Sequence, residues 1–139
     1  MRDLIIESLK RRFESYDELT SETNDQMLGE KLEILKHKSL GEHLWCVVGA
    51  RESYAKAIEA GAWEGFNCSL QDFSHSSFSQ KVSSSGRDVL AAISRVSDWT
   101  KEREEFLMTL AEHEVMHEGQ IIRHLYGLEV EIPKSVKWA

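Results

Sequence analysis

The sequence predicts an all-α protein, a four-helix bundle with one long crossover between its second and third helices. Three observations carry this expectation. A single proline interrupts 139 residues, so long stretches are free to be helical. Apolar residues recur at three- and four-residue spacing over separate segments, the period of one helical face. The balance of 41% apolar to 29% charged residues is that of a packed domain, without the signature of disorder, collagen or a disulfide scaffold. At 139 residues the chain can build one hydrophobic core and is too short for two ordinary domains, so residues 1–139 are read as one.

Ile5, Leu9, Phe13 and Tyr16, with charges between them, place the first helix near 2–20. The polar run Ser21-Glu22-Thr23-Asn24-Asp25 and Gly29 then break the period, and Leu28, Leu32 and Leu35 fit either a short helix or a packed loop. Ser39-Leu40-Gly41-Glu42 has the form of a capping box, so a second helix starts there. Its stripe is Leu40, His43, Val47, Ala50, Tyr54 and Ala57, and Leu44, Trp45 and Val48 make its other sides apolar, as in a central buried helix ending at Gly61. The serine-rich stretch 61–86 reads as the crossover, with Phe66, Leu70, Phe73 and Phe78 docking on the core. Val89, Leu90, Ile93, Val96 and Trp99 give a third helix near 87–99. Phe106, Leu110, His113, His117, Ile121, His124 and Leu128 give a fourth near 101–127. The tail, with Val130, Ile132, Pro133 and Trp138, reads as an ordered cover.

Seventeen basic against 24 acidic residues give a formal charge of -7, which argues against nucleic-acid and anionic-membrane partners. Cys46 and Cys68 form no C-x-x-C pair and no disulfide framework, so free thiols in a reducing compartment are expected. Neither a signal-peptide core nor a membrane-length apolar run is visible, and a cytoplasmic protein is expected.

The chemistry is concentrated in His113-Glu114-Val115-Met116-His117. At helical pitch the two histidines lie about 40° apart on one face, so two imidazoles one turn apart can bind one ion. Leu110, Gln120 and His124 share that face, which directs the pair inward, where each ring needs a hydrogen-bond partner or a metal. The plain alternative is a pair of core-edge histidines bonded to neighbouring polar groups. The second helix adds His43 and, nearly one turn on, Cys46, both metal-ligand types. A third ligand from there completes an open three-ligand divalent site of catalytic layout.

The same five residues satisfy H-E-x-x-H, in which a zinc peptidase uses the glutamate to activate water. The extended metzincin form fails, since Gln120 and Arg123 stand where glycine and histidine are required. Only 22 residues follow His117, and nothing upstream reads as a peptide-binding sheet, so the peptidase is a remote alternative.

Together the segments Ser39-Leu40-Gly41-Glu42-His43-Leu44-Trp45-Cys46 through Tyr54 and His113 through Ile122, with Gly119-Gln120-Ile121, resemble the DinB-like family. The resemblance implies an up-down-down-up bundle, frequent homodimers, and a divalent ion held by one histidine of the second helix and two of the fourth. Zinc or nickel is the ion expected, with iron or manganese as alternatives. It also implies that His113 and His117 are ligands. Aligned on Gly41-Glu42 and Ala50-Arg51-Glu52, the family's first histidine falls nearer Cys46, whereas this chain offers His43 earlier. The third ligand is thus His43 or Cys46, and thiolate ligation by Cys46 favours zinc.

Among the remaining candidates, Glu114 and Glu118 point about 100° from the histidines and are expected on a solvated face. Gln120 is placed to orient a ligand or a water. His124 belongs to the pocket wall or the surface, Tyr54 and the tryptophans to packing, and His37 and His75 to polar loops. The leading function is a metal-dependent enzyme acting on a small molecule; the resemblance adds thiol transfer with bacillithiol, mycothiol or glutathione. The rival is a non-catalytic, stress-related binding or scaffold protein with a degenerate site.

Overall fold

A computed structural model describes residues 1–136. The chain runs α1 (Arg2–Ser21), α2 (Asp25–Gly29), α3 (Leu40–Ala60), α4 (His75–Arg95) and α5 (Lys101–Gly127), then a 3-10 turn at Lys134–Val136. The four long helices expected are therefore α1, α3, α4 and α5, and the described residues contain no strand.

Local chemistry sets most of the boundaries. At the start of α3, Ser39 Oγ accepts from the Glu42 N–H at 3.1 Å while the Glu42 carboxylate accepts from the Ser39 N–H at 2.5 Å, the reciprocal box read from the sequence. Gly61 ends the helix at φ 75°, a left-handed conformation that favours glycine. Asn24 caps the short α2, which buries Leu28 while Leu35 stands 90% exposed.

The third long helix departs from expectation. It begins at His75 instead of near 87 and stops at Arg95, leaving Trp99 outside it. Serines hide the pattern, yet Phe78, Val82, Ser85, Gly86, Val89, Ala92 and Ile93 form one buried stripe. Small residues are needed on it because α1 comes close: a Cβ at Gly86 would lie 3.1 Å from the Phe13 ring. Ser74 Oγ caps the true start, accepting from the Ser77 N–H at 3.2 Å.

Contacts fix the helix directions. Arg2 meets Glu104 at 3.2 Å and Arg12 meets Glu118 at 3.0 Å, so α1 and α5 run parallel. Cys46 faces His113 at 3.6 Å and the Ile58 carbonyl accepts from Arg103 Nε at 2.9 Å, so α3 opposes α5. Arg51 reaches the Val82 carbonyl at 2.8 Å and Arg95 pairs with Glu59 further on, so α3 and α4 are parallel. The path is up-down-down-up, with α1 and α3 each packed on α4 and α5.

Parallel neighbours force the chain back along the 21 residues of α3, about 30 Å. Residues 61–74 make that return pressed on α3: the Asn67 N–H donates to Ser53 Oγ at 2.9 Å and the Ser69 N–H to Glu52 at 2.7 Å. Of the four residues expected to dock on the core, Leu70 packs against it and Phe78 is part of it, although Phe78 belongs to α4; Phe66 and Phe73 lie over Gly49 and Gly41 but stay nearly half exposed. One core half gathers Tyr16, Leu40, Leu44, Val48, Phe78 and Ile121 under the tail residues Ile132 and Val136, and the other gathers Leu9, Phe13, Ile58, Val89 and Leu107. Trp138 lies outside the described residues. No helix among the described residues is long and apolar enough to cross a membrane.

Candidate metal centre

On α5, His113 and His117 turn toward α3 with ring centroids 4.4 Å apart. Across the seam, Cys46 Sγ lies 3.6 Å from His113 Nε2. One donor atom from each of Cys46, His113 and His117 falls within 4.8 Å of the others. Ordinary Zn–S and Zn–N bond lengths give a tetrahedral S···N edge of about 3.6 Å, so the cysteine and His113 already stand at ligand spacing. His43 adjoins the trio from the other side, Nδ1 to Nδ1 with His117 at 3.2 Å. All four residues singled out in the sequence are thus neighbours.

Burial keeps the imidazoles of this cluster neutral. Burial, reinforced by His113 and His43, drops the His117 pKa to about 3. Burial and the charge of Lys38 drop that of His43 to about 4, and burial lowers that of His113. All three rings are neutral at pH 7 and offer lone pairs, the form a metal accepts. Burial raises the Cys46 thiol, so without a cation it keeps its proton. Nδ1 of His113 is buried without a hydrogen-bond partner. The donors present fit a divalent ion that prefers imidazole and thiolate.

A cavity of about 680 Å³ opens onto the cluster, with Gln120 in its wall as expected. Three basic residues, Lys36, Lys38 and Arg123, share the lining, which among the described residues contains no carboxylate. The acidic chain therefore carries a locally basic hollow.

Glu114 and Glu118 are not on a solvated face. They are 0% and 3% exposed. Glu114 takes a two-pronged bond from Arg51, Nε at 2.8 Å and Nη2 at 2.7 Å, with both side chains wholly buried. Glu118 pairs with Arg12 and accepts from Ser15 Oγ. The expectation failed because α5 is covered by both α3 and α1, which makes its inward arc wider than one stripe. The same geometry removes the peptidase reading: the glutamate that would activate water is shut away against an arginine.

Arg51 also lies over the rings of Phe13 and Tyr16, at 4.5 and 4.8 Å, and joins the two halves of the core. Sequence reasoning missed this role, although an arginine at helical spacing from Leu44, Val47 and Val48 was a usable signal. It also missed His37, which the 30–38 loop carries into the cavity, and underrated His124, which is wholly buried. His75 is structural, its Nε2 3.1 Å from the Thr20 carbonyl. Tyr54 packs on Trp63 and Phe106, and both cysteines are free.

No protein-family model matches the sequence, and no curated protein matches it. Among solved structures the chain is similar to a DinB-like protein from Bacillus cereus ATCC 10987, at 19% identity and a TM-score of 0.73 over 93% of each chain. Identity that low speaks for architecture alone. Helix order, helix directions and this superposition agree, and by its fold the chain is a DinB-like helical bundle.

Proposed function

We propose that the chain is a divalent-metal-dependent enzyme acting on a small anionic thiol, in the manner of a thiol-dependent S-transferase. The observation that carries this reading is the convergence of Cys46, His113, His117 and His43 on one cavity. His113 and His117 hold the ion, with Cys46 as the third ligand and His43 bracing His117. Thiolate ligation favours zinc, and nickel is next. A bound ion supplies Lewis-acid polarisation and a lowered pKa for a thiol or water beside it. Lys36, Lys38 and Arg123 attract the carboxylates of the substrate, and Gln120 orients it.

The proposal extends to a homodimer in the cytoplasm. An apolar groove of about 520 Å³ between α1 and α5, lined by Leu4, Met108, Val115 and Met116 among others, is the face it would use. That exposed groove also favours the second reading, a binding or scaffold protein whose centre is degenerate.

Metal analysis of the protein purified without a histidine tag separates the two. The enzyme reading expects an ion at near-equal stoichiometry, lost in His113→Ala and in His117→Ala. Cys46→Ser and His43→Ala compared side by side identify the third ligand by the larger loss. No ion as purified, and no uptake of added zinc or nickel, overturns the reading.

A further inference from the structure

We propose that His37, His43 and His124 form a second divalent-cation site, distinct from the centre at Cys46, His113 and His117. The three rings come from three parts of the chain: the loop before α3, the first turn of α3 and the last turn of α5. One donor atom from each lies within 4.8 Å of the other two. Ring centroids are 5.1 Å apart for His37 and His124, 6.0 Å for His37 and His43, and 6.4 Å for His43 and His124.

The strongest sign is His124. It is 0% exposed, and the Glu30 backbone offers a loose hydrogen bond to one ring nitrogen while the other has no partner. An imidazole sealed from water with a nitrogen left unbonded carries an uncompensated desolvation cost. A cation between the three rings removes part of it. His37 gives the second sign. Its Nδ1 lies 2.6 Å from the Lys38 carbonyl, which can only accept, so Nδ1 carries the proton and Nε2 keeps its lone pair. A backbone carbonyl fixing the tautomer in this way is the usual support of a metal-binding histidine. His37 and His43 line the cavity, so an ion has a path from solvent.

The donor set selects the ion. Three imidazoles without a carboxylate suit zinc, cobalt, nickel or copper and exclude calcium and magnesium. With no thiolate to offset its charge, and with Lys36 and Lys38 in the same lining, this site is the weaker of the two and fills second.

Cobalt(II) tests the assignment because it reports its ligands: a thiolate gives an intense near-ultraviolet charge-transfer band, whereas an all-imidazole site gives only weak visible bands. Titration of the metal-free protein, with bound metal measured after dialysis, is expected to give about two equivalents per chain, the first with the band and the second without. His37→Ala, on a loop where the fold tolerates change, removes the second equivalent and leaves the band. His124→Gln does the same, and Cys46→Ser removes the band. A single equivalent that carries the band and survives both histidine variants overturns the second site and leaves the first standing. A single equivalent without the band, lost in His37→Ala, upholds this site and overturns the first. No bound cobalt overturns both.

Discussion

Arg51 and Glu114 form a wholly buried ion pair between α3 and α5, and single-residue changes act on it asymmetrically. Glu114→Gln leaves a guanidinium uncompensated in the core, and a loss of about 3–5 kcal/mol in urea unfolding is expected. Replacing the pair together, Arg51→Met with Glu114→Leu, recovers most of that loss, because the desolvation cost disappears along with the attraction. The buried imidazoles make a second residue-scale prediction. Folded pKa values of about 4 for His43 and about 3 for His117 lie below the ordinary 6.5, so between those limits the unfolded chain binds more protons than the folded one. Metal-free protein therefore holds the full contribution above pH 6.5 and loses it progressively as the pH falls toward 4 and then 3; urea midpoints across that range check it. Spacing exposed His43, Cys46, His113 and His117 as candidates because each sat on a helical face that could be counted. Glu114 and Glu118 were misjudged because one helix's periodicity does not say how many neighbours cover it.

At the scale of elements, the boundaries written in side-chain chemistry were legible and those written in packing were not. Ser39-x-x-Glu42, Gly61 and the stripe of α5 announced their helices by local hydrogen bonding or period. The first half of α4 stayed hidden because only Phe78 and Val82 mark its buried stripe among serines, and the next position, Gly86, is small because α1 approaches closely, a tertiary fact. Ser39→Ala, which removes one half of the capping box, is expected to cost about 1 kcal/mol in urea unfolding with the fold unchanged by circular dichroism. Gly86→Val pushes a branched side chain against the Phe13 ring, and the expected loss is about 1–3 kcal/mol by the same measurement. A wild-type midpoint in Gly86→Val would mean that α1 and α4 do not touch as described.

For the whole molecule, the up-down-down-up path brings together candidate ligands from the loop before α3, from α3 and from α5 that no local pattern could join. His37 was unreadable for that reason: its position depends on the route of an irregular loop and not on a period. On the proposed function an ion would bind the folded chain and not the unfolded one, so zinc at about a hundredfold over its dissociation constant is expected to add about 2.7 kcal/mol of stability. A chelator reverses the gain and His113→Ala abolishes it; thermal melts with and without zinc decide. The Arg51–Glu114 pair holds α3 on α5 beside the histidines with no ion's help. The proposed ligand cage is thus assembled before any ion arrives, so on the proposed function uptake is capture by a preformed receptor, governed by access through the cavity mouth and not by the pace of refolding.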